Sequence, residues 1–190
     1  MISFTYGGMR SGKTAMMILY IYSQKARGRN VQVLKPSIDT REVGVIRSRA
    51  LDTEFKALIF ENLEELDNIL KSITNKKIDE IYVDEGQFIS SECIIRLVKF
   101  SHDNDIDINF YGLKNSFTGE LFEGSKTLIE YSDIVKEIES RCDMCNRNAT
   151  MHLRSLNGKF VFDGDIVSVG DEEYYSVCGK CFLDKKLSQG

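Results

Sequence analysis

The residues that could do chemistry fall in three groups. Gly7-Gly8-Met9-Arg10-Ser11-Gly12-Lys13-Thr14 matches G-x-x-x-x-G-K-[ST]. In that pattern glycines let backbone N–H groups curl round phosphate oxygens at the positive end of a helix, the lysine reaches the terminal phosphates and the hydroxyl ligates Mg²⁺. Second, Ile81-Tyr82-Val83-Asp84 ends an apolar run on a carboxylate, followed at once by Glu85. A strand-end acid beside a phosphate loop suits a Mg²⁺ held through water, which gives Asp84 that role. Glu85 would then be the base that takes a proton from an attacking hydroxyl or water. Third, Cys142-Asp-Met-Cys145 and Cys178-Gly-Lys-Cys181 form two C-x-x-C knuckles. In a reducing compartment such pairs read as a Cys₄ zinc site, structural because four thiolates leave no open position for water. Taken alone, the acids also suit a solvated strand terminus, and the cysteines free thiols or a redox pair. Cys93 falls on an apolar helical face and reads as core.

These residues need elements to position them. ISFTY (2–6) predicts a strand running into the Gly7-Gly8 loop, and Lys13 to about Arg27 predicts a helix closed at Gly28. VQVLKP (31–36) is a second strand ending at the only proline, so the chain opens as strand, helix, strand, the start of a parallel α/β unit. The alternation continues with a candidate strand at 57–60, a helix over 63–73, a strand over 78–85 and a helix from Ser90-Ser91-Glu92. Further strands are expected at 106–112 and 133–140. Segment 113–127, with dispersed polar clusters and two glycines, reads as a functional loop. From 141 the texture changes. The stretch between the knuckles exceeds the usual spacing of about 15–20 residues and carries the alternating runs KFVF and DIVSV on either side of Asp163-Gly164. That predicts a hairpin or long flap pinned at its base. The division expected is 1–140, a P-loop ATP-binding α/β domain with a mainly parallel sheet flanked by helices, and 141–190, a small zinc-bearing β-rich domain.

Composition sets outer limits. With 190 residues, 28% charged and 42% hydrophobic, the chain is an ordinary globular protein with one sizeable core, and disorder or collagen-like repetition is excluded. The net charge of −4 argues against a nucleic-acid partner bound mainly through its backbone. No run approaches a membrane span and no secretory pattern opens the chain, so a cytoplasmic protein is expected.

Together, GGMRSGKT, VDEGQF, YGLKNSFTGELFEGS and the late CDMC … YYSVCGKC resemble the type II thymidine kinases, the compact zinc-containing family, in the same order from about residue 2 to 182. The resemblance implies transfer of the ATP γ-phosphate to the 5′-hydroxyl of thymidine, making dTMP, by a homotetramer subject to dTTP feedback. It implies ATP binding over Gly7, Gly8, Met9, Arg10, Ser11, Gly12, Lys13 and Thr14 and over Asp84, Glu85, Gly86 and Gln87, with Glu85 the catalytic base and Mg²⁺ at Thr14 and Asp84. Asp39 and Arg41 would border the phosphate-transfer site. Met9, Phe88, Leu113, Phe117 and Phe122 would enclose the thymine, Tyr174 would close over it, and the backbone of Val167, Ser168, Val169 and Gly170, in a lasso between the knuckles, would bind its polar edge. Cys142, Cys145, Cys178 and Cys181 would hold Zn²⁺.

The chain departs from the family pattern at Gly8 and Arg10, where Gly-Pro-Met-Phe is frequent, and at Val169-Gly170, where a Gly-Gly pair is frequent. Apart from the resemblance, Phe88, Phe117 and Phe122 read as core. Arg47 and Arg49 read as a solvated cluster, His102 and His152 as surface or packing residues without a visible partner, and DKKLSQG as a frayed tail. Two other functions share these motifs: a P-loop ATPase in which Glu85 activates water, and a nucleotide-responsive module gripping nucleic acid through its knuckles. The acidic run DGDIVSVGDEE (163–173) opposes the latter.

Overall fold

The computed structural model describes residues 1–38, 44–48, 51–164 and 173–188. In chain order the elements are β1 (Ile2–Gly7), α1 (Lys13–Ala26), β2 (Val31–Pro36), β3 (Val45–Ser48), β4 (Thr53–Lys56), β5 (Leu58–Phe60), α2 (Leu63–Thr74) and β6 (Glu80–Val83). A 3₁₀ turn (Gly86–Phe88) leads to α3 (Ser91–Asn104), β7 (Asp107–Gly112), α4 (Glu123–Tyr131), β8 (Ile134–Ile138), β9 (Met151–Leu156), β10 (Lys159–Val161), β11 (Glu173–Val177) and α5 (Gly179–Leu187).

Six strands make one sheet in the order β5-β2-β6-β7-β1-β8, every neighbouring pair parallel. Parallel neighbours require crossovers, and the helices that supply them cover the two faces. Strand alternation shows the division: Ile81 and Val83 of β6 and Ile108 and Phe110 of β7 join the core with α2, α3 and α4. Tyr82 and Tyr111 turn to the opposite face and meet Met17, Ile18 and Ile21 of α1. Local chemistry fixes the helix starts. Asn62 caps α2 by accepting the Glu65 N–H, while the Glu65 carboxylate accepts the Glu61 N–H. Ser90 caps α3 through the Cys93 N–H. Cys93 itself is buried on α3.

The α/β class therefore matches the expectation, and two local expectations change. Segment 113–127 is not all loop, because α4 begins at Glu123. A Cβ on Gly124 would lie 2.6 Å from the carbonyl oxygens of Gly86 and Ile89, so the helix must carry there the residue that most weakens its sequence signal. The described hairpin after the first knuckle is β9–β10, turning at Asn157-Gly158; of the hairpin expected about Asp163-Gly164, the second run, DIVSV, lies outside the described residues. Both turn residues have positive φ, 51° and 75°, which the Asn-Gly pair tolerates. Finally, most of DKKLSQG is helical: α5 runs to Leu187 and packs Phe182 into a third, small core with Leu153 and Val177. β10-β9-β11 form an antiparallel sheet over that core, and β3–β4 are a separate hairpin.

Candidate active site

In an open parallel sheet, groups at the carboxyl ends of the strands share one crevice. Here that edge gathers Gly7 at the end of β1, Asp84 and Glu85 after β6, and Leu113 after β7.

The loop from β1 to α1 has a phosphate-cradling form. Gly12, at φ 85°, is the N-cap of α1 and offers no side-chain cap, and the first turn carries no acid, so the helix N–H groups face the loop without a protein anion. Arg10 also has positive φ, 62°. Lys13 is half-buried and donates from Nζ to the carbonyls of Gly7 at 3.2 Å and Gly8 at 2.8 Å. Burial lowers the Lys13 pKa, opposed by the charges of Glu85 and then Asp84. The P-loop lysine and the two acids thus share one electrostatic neighbourhood, although the sequence separates them widely.

Asp84 is buried, and its Oδ1 accepts the Glu85 N–H at 3.0 Å. Burial, then the Glu85 charge, push its pKa up, while the Glu85 N–H bond, then Lys35 and Lys13, pull it back. Two adjacent carboxylates in a poorly solvated pocket suit a divalent cation, which would relieve their repulsion, so the donor set fits Mg²⁺. Glu85 is left-handed, φ 52° and ψ 39°, an uncommon conformation for a residue with a side chain. Gln87 holds it there: its Nε2 donates to Glu85 Oε2 at 2.5 Å, while its Oε1 accepts the Leu113 N–H at 2.9 Å. One amide therefore ties the candidate base to the end of β7. Gly112 must lack a Cβ for this, since one would lie 2.5 Å from Gln87 Oε1.

Of the expected thymine-enclosing residues, Phe88 and Phe122 meet edge to face at 5.6 Å. Leu113 is tied to Gln87 as above. Phe117 is buried beneath the Arg154 guanidinium, 3.6 Å from the ring centroid, and Arg154 faces Tyr174 across the β9–β11 ladder. Met9 lies against the same sheet: its N–H donates to His152 Nε2 at 3.2 Å and its carbonyl accepts from Ser176 Oγ at 3.0 Å. His152 is thus no surface residue. It is buried, with Nδ1 3.1 Å from the Asn115 carbonyl, and both of its ring nitrogens have partners. Burial, then the Lys13 charge, bring its pKa down to about 4. His152, Arg154 and Ser176 carry no sequence signal for these contacts, because they act on backbone or on a ring face; His152 and Arg154 belong to no motif, and Ser176 lies within YYSVCGKC without a role of its own there. Asp39 and Arg41, and Val167, Ser168, Val169 and Gly170, lie outside the described residues, as does Arg49. The groove lined by Lys25, Arg29, Lys76 and Lys77 opens at the start of β2, the opposite edge of the sheet from the P-loop.

The four knuckle sulfurs, Cys142, Cys145, Cys178 and Cys181, lie within 4.8 Å of one another. Tetrahedral Zn–S bonds of about 2.3 Å place sulfurs roughly 3.8 Å apart, so the cluster fits zinc. Burial would push the Cys142 thiol up, but backbone N–H donors led by Cys178 outweigh it and bring it to about 7. The Cys178 sulfur also caps α5 by accepting the Cys181 N–H.

The sequence profile of the family described as Thymidine kinase matches residues 1–182. The thymidine kinase of Lactobacillus acidophilus is 34% identical over 183 residues, covering 92% of each chain. That of Streptococcus gordonii is 35% identical over 187 residues, 97% of each chain. That of Enterococcus faecalis is 35% identical over 185 residues, 96% of this chain and 94% of its own.

Proposed function

The chain belongs to the thymidine kinase family and is an enzyme that phosphorylates thymidine, and from that premise we propose how its own residues carry the γ-phosphoryl group of ATP to the 5′-hydroxyl. Glu85 is the base. The observation that carries this role is its left-handed position at the end of β6, beside Lys13 and fixed by Gln87. It accepts the 5′-hydroxyl proton as the oxygen attacks the γ-phosphorus, and ADP leaves. Lys13, drawn from the Gly7 and Gly8 carbonyls to the phosphates, stabilises the charge on the transferring group together with the backbone N–H groups over Gly7, Gly8, Met9, Arg10, Ser11, Gly12 and Thr14. Thr14 and Asp84 would hold Mg²⁺, which supplies positive charge to the β- and γ-phosphates when bound. Gly86 and Gln87 complete the nucleotide side, with Asp39 and Arg41 at the transfer site.

Thymine lies among Met9, Phe88, Leu113, Phe117, Phe122 and Tyr174, with the backbone of 167–170 on its polar edge. The contact of Phe88 with Phe122 and the stacking of Phe117 under Arg154 support an aromatic wall there. We place the P-loop domain at 1–140 and the zinc-bearing domain at 141–190, with Zn²⁺ structural. dTTP is the feedback inhibitor, because it presents the same base together with phosphates that the P-loop can hold. Free cysteines suit a reducing cytoplasm, and no described helix is long and apolar enough to cross a membrane. Exposed Met16, Leu19 and Tyr20 on α1 support a homotetramer.

A nucleoside panel with Mg-ATP tests the reading. Thymidine should be phosphorylated, with Glu85→Gln lowering kcat by roughly 10²–10⁴ and leaving the fold intact. ATP turnover equal with and without thymidine would sink it.

A further inference from the structure

We propose that His152 and Ser176 form a two-sided clamp on the P-loop, gripping the N–H and the carbonyl of Met9 and so making the cysteine-held sheet a positioning element of the phosphate site. This deepens the phosphoryl-transfer reading and rests on it.

The two side chains are directly opposite each other in the β9–β11 register. A single cross-strand pair therefore reaches both polar groups of one residue at the crest of the loop, His152 Nε2 accepting at 3.2 Å and Ser176 Oγ donating at 3.0 Å. The imidazole is oriented from behind. Because Met9 donates to Nε2, that nitrogen bears the lone pair, and Nδ1 carries the proton it gives to the Asn115 carbonyl at 3.1 Å. The fit extends to Gly8: a Cβ there would lie 2.9 Å from Ser176 Oγ and 3.0 Å from Ser140 Oγ, so the neighbouring glycine is what lets the sheet approach.

Ser176 is in turn held by the first knuckle. Asp143, between Cys142 and Met144, donates its N–H to the Ser176 carbonyl at 2.9 Å and accepts the Ser176 N–H on Oδ2 at 2.8 Å. From Asp143, bonded in the chain to Cys142, a path of hydrogen bonds thus runs through Ser176 to Met9, four residues before Lys13. A loop fixed in this way has its N–H groups preorganised for phosphate and loses less freedom on binding. Both clamp residues are positioning residues: they touch the loop backbone, not the phosphates.

The test is calorimetric titration of ADP into the full-length protein, alongside kcat and KM. His152→Ala and Ser176→Ala should each weaken ADP binding about tenfold, the cost of one buried hydrogen bond. Because both act on Met9, the double variant should lose less than the product of the two. His152→Gln keeps an acceptor near the Nε2 position and should restore ADP affinity. His152→Asn keeps only the donor side and should not. Retained ADP affinity in the folded alanine variants, strictly multiplicative losses, or a glutamine variant no better than alanine would each overturn the clamp. If His152→Ala does not fold, the Gln and Asn pair and Ser176→Ala decide the matter. The ADP titration needs no nucleoside, so it separates failure of the clamp from failure of the thymidine reading, which turnover of the unaltered protein decides.

Discussion

At the scale of the residue, His152 concentrates the site's electrostatics. It is neutral in the fold because burial and the nearby Lys13 and Lys114 disfavour its charge, and these outweigh the Asn115 carbonyl that favours it. Tyr6 and Glu137 line the same small cleft from β1 and β8. With a folded pKa of about 4 against 6.5 for the free side chain, the unfolded chain binds the extra proton first. Stability is therefore fully present above pH 6.5 and falls as pH drops towards 4, by about 3 kcal/mol in all from this one group. Denaturant midpoints measured between pH 7.5 and 4.5 should show the fall, and His152→Gln should flatten it; identical slopes in both proteins would exclude His152 as the source. The residues of the phosphate loop and of Asp84-Glu85 were legible in the sequence because phosphate chemistry demands fixed spacing. His152, Ser176 and Arg154 were not, since a side chain that binds a backbone group or covers a ring can come from any strand of suitable register.

At the scale of the element, legibility followed the strength of local patterning. β1, α1, β2 and α2 announced themselves by apolar spacing and turn residues, whereas α4 was hidden by Gly124, a residue chosen for close packing against Gly86 and Ile89. Asn157-Gly158, a type I′ pair, is a turn signal between β9 and β10 that the sequence also carries, while the run after Asp163-Gly164 lies outside the described residues. Three short strands over a core of six buried residues, two of them the knuckle cysteines Cys142 and Cys178, supply little independent stability. The knuckles before β9 and after β11 must close it, and a structural zinc contributes folding free energy on the order of 10 kcal/mol. Removing metal with a chelator should therefore open β9–β11 while the six-stranded sheet persists. Hydrogen exchange would read this directly: amides of β9 and β11 should lose protection by several orders of magnitude and those of β1, β6 and β7 by far less. Loss of protection in all strands together would contradict a division at 140/141.

At the scale of the whole molecule, α1 poses a question that one chain does not answer. Met17, Ile18 and Ile21 face the sheet and are fully buried, yet Met16, Leu19 and Tyr20 on the outer face are between 36% and 58% exposed. A helix apolar all round belongs in an interior, and none of the described elements covers this side. Tyr22, also half exposed, is turned against Phe55 of the same chain at 5.0 Å and stands apart from that stripe. A second copy would cover it by an isologous contact, in which each side chain is buried twice, and a tetramer of closed symmetry repeats that contact. Full burial of side chains of this size yields about 1.5–3 kcal/mol each, and these, already about half buried, would contribute roughly half of that, so the stripe is one part of a larger contact. Leu19→Glu would place a carboxylate in the middle of this apolar stripe, where burial against a second copy would strip its water. Light scattering should then show the assembly falling from four chains to fewer, with far-ultraviolet circular dichroism unchanged because Leu19 points away from the core. An unaltered protein that runs as a monomer, or a variant that remains tetrameric, would remove α1 as the contact and leave its outer stripe without an occupant.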